Sequence, residues 1–223
     1  MNQPAAGAPQ RELSGLTAAA EKRLLIWLAR RTPEPVGSDH LTLLGLLAMA
    51  GAGACYALAG RNAAWLHGVN VCLALNWLGD SLDGTLARVR NRQRPRFGFY
   101  VDHLVDALGA LFLLAGLAAS GLVSERIAVA LLLAYYFLSL NIYLAACALG
   151  VYKISYGLFG GTELRILLAI VNLLALAWPR VTFWGSSVLL FDLLAGLAAS
   201  GLALTALRSA VQVTKRLYDE ERL

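Results

Sequence analysis

Six long apolar runs constrain this chain more than any other feature. They fall at about residues 41–60, 64–86, 99–121, 127–150, 164–178 and 183–207. A helix rises 1.5 Å per residue, so about 20 residues cross the hydrocarbon core of a bilayer. The runs fit that length, the fifth being the shortest. In hydrocarbon each backbone N–H and C=O must be satisfied within the protein, and a continuous apolar run does this as a helix. Hydrophobic residues are 58% of the 223 and charged residues 15%, too apolar a balance for a soluble domain of this size. The expected fold class is all-α: a polytopic membrane helix bundle with six transmembrane helices. One membrane domain over 16–210 is expected, with a flexible N-terminal tail at 1–15 and a cytoplasmic C-terminal tail at 211–223.

Charge placement orients the bundle. With the N-terminus in the cytoplasm, sixteen of the nineteen Lys and Arg residues fall in cytoplasmic segments, leaving Arg61, Arg126 and Arg180 outside. Such a bias places both termini inside. The net charge of +5 then reflects topology and attraction to anionic lipid, with no nucleic-acid partner expected. Trp65, Trp178 and Trp184 fall at the outer boundary, where aromatic anchors are common.

Ahead of the first span, Leu16, Ala20, Leu24, Trp27 and Leu28 recur at helical spacing among Glu21, Lys22, Arg23 and Arg30. This predicts an amphipathic helix lying in the cytoplasmic interface, ended by Pro33 and Pro35. Residues 1–15 are polar and lack a basic region leading into an apolar core, so no signal peptide is expected. Cys55, Cys72 and Cys147 all sit in apolar segments and are expected to be packing residues without a disulfide framework. The decapeptide Leu-Leu-Ala-Gly-Leu-Ala-Ala-Ser-Gly-Leu occurs at 113–122 and 193–202, and its small residues permit close helix packing. Asn70, Asn76, Asn141 and Asn172 are expected to knit helices together, and Asp192 to make a structural hydrogen bond to another helix.

Four carboxylates interrupt this apolar chain. Asp80 and Asp83 are spaced i, i+3 at the end of the second run; Asp102 and Asp106 are spaced i, i+4 at the start of the third. Each pair shares a helix face. The short loop over about 89–97 predicts antiparallel neighbours whose carboxylates converge. Hard oxygen ligands at that density suit Mg²⁺, Mn²⁺ or Ca²⁺ rather than zinc. Gly84 and Ala87 leave room beside them, and Arg88 offers a fork suited to phosphate.

The spacing D-x2-D-G-x2-A-R-x9-G-x3-D-x3-D, spanning 27 residues through Asp80, Asp83, Gly84, Ala87, Arg88, Gly98, Asp102 and Asp106, resembles the CDP-alcohol phosphotransferase (phosphatidyltransferase) family. That resemblance implies an integral-membrane enzyme of phospholipid synthesis. It would sit in the inner, cytoplasmic membrane if bacterial, with one or two Mg²⁺ or Mn²⁺ ions, and would be a homodimer. Asp80, Asp83, Asp102 and Asp106 would hold metal, with Asp106 also the general base. Gly84, Ala87 and Arg88 would line the site for a CDP-linked donor. Asp39 and Thr42 resemble a family position that contacts the donor; N-capping of the first span is their other reading.

The acceptor stays open. Lys153 and Arg165 flank a glycine-containing cytoplasmic loop and are candidates for an acceptor phosphate, or charges that set topology. Members of the family that use a phosphorylated acceptor often carry Lys or Arg after the last aspartate, where this chain has Ala107. The expected reaction transfers a phosphatidyl group from CDP-diacylglycerol to a small alcohol with release of CMP. One alternative, suggested by Asp102-His103, is an aminoalcohol phosphotransferase using a CDP-aminoalcohol and diacylglycerol. The other is a non-catalytic membrane protein or divalent-cation transporter.

Overall fold

A computed structural model describes residues 18–149 and 161–221. Among them are seven helices: α1 (Ala18–Arg31), α2 (Ser38–Ala59), α3 (Trp65–Val89), α4 (Pro95–Ala119), α5 (Glu125–Leu149), α6 (Gly161–Ala177) and α7 (Leu190–Glu220). Each apolar run is a helix over most of its length. Four helices, α2, α4, α5 and α7, are long and apolar enough to cross a membrane. Of the two other helices that match apolar runs, α6 has 17 residues, and α3 carries Asn70, Asn76, Asp80 and Asp83 along its length.

The last run differs from expectation. Its first residues, with the three that precede it, form an antiparallel hairpin of β1 (Arg180–Phe183) and β2 (Ser186–Leu189), with Phe183 opposite Ser186. Trp184 and Gly185 make the two-residue turn with φ of 46° and 77°, left-handed geometry that suits the strand twist. Ser186 and Ser187 therefore lie in a strand. The helix α7 runs on to Glu220, so most of the expected tail at 211–223 is helical.

The six long helices neighbour one another in the cyclic order α2, α3, α6, α7, α5, α4, and α1 packs outside against α3. The short loop between α3 and α4 does not make them packing partners along their length; α2 lies against both. Glycine permits this. A Cβ on Gly79 would fall 2.6 Å from the Leu41 carbonyl oxygen and 2.7 Å from Gly45 N. A Cβ on Gly53 would run into the Phe112 carbonyl of α4, and one on Gly116 into the Gly53 carbonyl of α2. Side chains at these positions would push the backbones apart.

Amide and hydroxyl groups complete the lacing. The buried Tyr56 hydroxyl donates to Asn172 Oδ1 (2.7 Å), and Asn172 Nδ2 donates to Asn70 Oδ1 (2.7 Å), joining α2, α6 and α3. Asn141 Nδ2 donates to Ser209 Oγ (2.8 Å) between α5 and α7. The Asp192 carboxylate accepts from Ser124 N–H (2.5 Å) and Oγ–H (2.7 Å), tying α7 to the start of α5 in the structural role expected of it. All three cysteines are free thiols. The larger apolar core, with Tyr56, Leu66, Val69, Leu117, Ala128, Val171 and Phe191, gathers at the bundle end opposite the aspartates.

Helix α1 buries Leu25 and Ala29 against Leu41, Leu82 and Leu86. Leu24 and Trp27, expected on the apolar face, are exposed. Glu21 Oε1 accepts from Trp77 Nε1 (2.9 Å) and Thr162 Oγ1 (2.8 Å), fastening α1 to α3 and α6.

The two decapeptides give a contrast within one sequence. Gly116 of the first copy is in backbone contact with α2, whereas a Cβ on Gly196 or Gly201 of the second would meet nothing within 4 Å. Gly116→Leu is expected to abolish the monodisperse detergent-solubilised protein and Gly196→Leu to leave it intact, read by size exclusion and thermal melting. Equal behaviour of the two would overturn the packing described.

Candidate functional site

The end of α3 and the beginning of α4 meet in carboxylates. One oxygen each from Asp80, Asp102 and Asp106 lies within 4.8 Å of the others. Two oxygens bound to one divalent ion at 2.0–2.6 Å are at most about 5 Å apart, so the three fit a shared cation. Asp102 and Asp106 share a face of α4 one turn apart; Asp80 and Asp102 are partly covered and Asp106 is exposed.

Asp83 stands beside this triad rather than in it. Its Oδ2 accepts from Thr42 Oγ1 (2.6 Å), its Oδ1 accepts from the Gly84 N–H, and its backbone carbonyl accepts from Ser38 Oγ (2.9 Å). The carboxylate is thereby tied to the first turns of α2. Thr42 does not cap that helix, and neither does Asp39, which pairs with Arg94 at the surface. The residue ahead of α2 is Gly37, whose N–H donates to His40 Nδ1 (3.0 Å).

Space adjoins the carboxylates where the sequence places it. A Cβ on Gly84 or on Gly98 would meet no atom within 4 Å. Ala87 is half-buried one turn on, and Arg88 is exposed, with Nη2 donating to Thr85 Oγ1 (3.2 Å). Of the two acceptor candidates, Lys153 lies outside the described residues. Arg165 faces the triad: its Nη2 donates to Asp80 Oδ2 (2.6 Å) and its Nε to Asn76 Oδ1 (2.7 Å). His103 packs against Phe99 (centroids 4.2 Å apart) and Tyr143 (4.9 Å, 87° between planes). Its Nδ1 lies 2.6 Å from the Phe99 carbonyl oxygen, so that nitrogen carries the proton. Tyr136 O–H donates to the carbonyl of Ala107, next to Asp106 (2.9 Å).

One residue that sequence reasoning passed over frames the site. Arg90 caps α3 and donates to the carbonyls of Thr32 (2.8 Å), Pro33 (2.9 Å), Glu34 (3.4 Å) and Val36 (2.6 Å). These carbonyls belong to the linker between α1 and α2, so Arg90 sets where Ser38 and Thr42 begin. Its only sequence signal is a cation at a helix C-terminus.

A family model described as CDP-alcohol phosphatidyltransferase matches residues 38–210. No curated protein and no solved structure matches the chain.

Arg90→Ala is expected to cost about 1–3 kcal/mol, the range for charge-assisted hydrogen bonds left without a donor. The thermal midpoint should drop and trypsin should cut after Arg30 or Arg31 faster than in the wild type. Arg92→Ala is the control; indistinguishable digestion of the two variants would show that the carbonyl cluster holds nothing.

Proposed function

The chain belongs to the CDP-alcohol phosphatidyltransferase family, and from that premise we propose that it transfers a phosphatidyl group from CDP-diacylglycerol to the hydroxyl of a small water-soluble alcohol, releasing CMP. The observation that carries this reading is the convergence of Asp80, Asp102 and Asp106 beside the open backbone of Gly84. Chemistry at that point needs both a binding place for a polyanion and a surface for its neighbour to approach.

The family is divalent-metal dependent, and the triad fits one or two Mg²⁺ or Mn²⁺ ions held by Asp80, Asp102 and Asp106, with Asp83 alongside. Held by these carboxylates, such an ion would supply positive charge to offset that of the pyrophosphate and of departing CMP. The remaining work falls to side chains. Gly84 lets the donor approach the backbone of α3, Ala87 continues that surface, and Arg88 pairs with donor phosphate. Thr42 holds Asp83, and Asp39 with Arg94 borders the same end of α2. The exposed Asp106 accepts the proton of the acceptor hydroxyl while its oxygen attacks phosphorus. The new P–O bond forms as the bond to CMP breaks, and CMP leaves with the electron pair.

The charge asymmetry supports six spans, with α3 and α6 crossing alongside the four helices that are long and apolar enough to span, and both termini cytoplasmic. On this reading the site lies at the cytoplasmic face of the membrane, where water-soluble alcohols have access. A membrane domain over 16–210 and assembly as a homodimer belong to the same reading.

The direct test is CMP release from CDP-diacylglycerol in detergent with and without Mg²⁺ or Mn²⁺. Turnover should require the ion, and Asp106→Asn should lower kcat by at least about 100-fold, as loss of a general base does. Gly84→Leu should raise KM for CDP-diacylglycerol without changing the melting temperature, because the added side chain has room in the fold but fills the donor's approach. An unaltered KM would refute the donor placement.

Acceptor identity is read from a panel of serine, inositol, choline, glycerol phosphate and inositol phosphate against labelled CDP-diacylglycerol. The alcohols without phosphate should give more product. Product only from CDP-choline or CDP-ethanolamine with diacylglycerol would reverse donor and acceptor. No CMP from any pair would favour a non-catalytic protein or a cation transporter.

A further inference from the structure

Arg165 is aimed. Its guanidinium reaches across from α6 to two residues one turn apart on α3, Asn76 and Asp80, placing Nε on one and Nη2 on the other. Asn76 cannot present its amide the other way round. Its Nδ2 donates to the Gly45 carbonyl (3.0 Å), which fixes Oδ1 toward Arg165. Gly45 itself is clamped in the backbone contact between α2 and α3, so the chain Gly45–Asn76–Arg165–Asp80 rests on the most tightly packed part of the bundle. The side chains of Arg165 and Asp80 are only 18% and 16% exposed, so water and salt screen their attraction weakly.

Asp80 is also one of the three carboxylates that fit a shared cation. One negative charge thus serves two cations. A divalent ion at the triad is repelled by the guanidinium a few ångströms away, and each weakens the other's hold on Asp80. We propose that Arg165, held by Asn76, is a tethered counter-cation that lowers the affinity of the aspartate triad for its divalent ion. This rests on the triad being the ion site, and it gives Arg165 a task different from binding an acceptor phosphate. Arg165 acts through Asp80 and is a positioning residue, as is Asn76. The consequence for turnover is an ion held loosely enough to exchange together with the pyrophosphate-bearing donor.

The test is Mn²⁺ binding to the full-length protein in detergent, followed by the electron paramagnetic resonance signal of free Mn²⁺, with no substrate present. Arg165→Gln keeps a hydrogen-bonding side chain but removes the charge; its dissociation constant for Mn²⁺ should fall about tenfold, the scale of one nearby charge in a partly screened site. Arg165→Lys keeps the charge but cannot span Asn76 and Asp80 together, and should fall between that variant and wild type. The direction is diagnostic, because damage to the fold weakens binding whereas loss of a competitor strengthens it. Equal or weaker Mn²⁺ binding by Arg165→Gln overturns this inference while leaving the ion site standing. Wild-type protein that binds no Mn²⁺ overturns the ion site, and this inference with it.

Discussion

Gly45, Gly53, Gly79 and Gly116 let α2 run backbone to backbone against α3 on one side and α4 on the other. Between helices in lipid there is no apolar surface to withdraw from water, so close approach and interhelical hydrogen bonds carry the association. The aspartate triad depends on that approach. Asp80 belongs to α3 and Asp102 and Asp106 to α4, and these two helices share no long packed face of their own. The common neighbour α2 sets their separation, and the same helix supplies Thr42 to Asp83 and the Gly45 carbonyl to Asn76.

Packing is also divided along the bundle. The large apolar core lies at the end away from the aspartates, while at the acidic end Leu25, Ala29, Leu41, Leu82 and Leu86 form a smaller core under α1. Charged and hydrogen-bonded groups do much of the work there: Glu21 between Trp77 and Thr162, Arg90 on four carbonyls, and Arg165 between Asn76 and Asp80. A site that must admit a polyanion cannot be closed by hydrocarbon, and directional bonds fix the frame without filling the space beside Gly84 and Gly98.

What the sequence discloses follows from the range of each interaction. The pairs Asp80/Asp83 and Asp102/Asp106 are local, so helical spacing alone places each on one face, and the apolar runs locate all six long helices. The room at Gly84 was legible because glycine beside charge has few other uses. The partition of the four carboxylates was not, because Asp83 is drawn off by Thr42, forty-one residues away in sequence. Arg90 looked like one more loop arginine; its role depends on carbonyls more than fifty residues earlier. The hairpin at 180–189 was hidden because Val181, Phe183, Trp184, Val188 and Leu189 are as apolar as a span, and hydropathy cannot separate a strand from a helix.

The basic residues around the site sort by what already holds them. Arg90 is spent on carbonyls, Arg94 on Asp39 and Arg165 on Asp80. Arg88 is different: its bond goes to the neutral hydroxyl of Thr85, so its charge has no carboxylate in that bond to offset it, and on the proposed reading it meets whatever approaches Gly84. On the proposed reading that visitor is the donor pyrophosphate, which brings its own negative charge and needs this cation along with the metal. A second phosphate, on the acceptor, would have to take Arg165 from Asp80 or rely on cations farther along the loop, since Ala107 supplies none beside Asp106. Recruiting Arg165 would give up a partly covered ion pair, a cost that a neutral alcohol never incurs. On the proposed reading, the Asp80–Arg165 pair would therefore bear on the acceptor as well as on the ion, favouring a hydroxyl compound without a phosphate of its own.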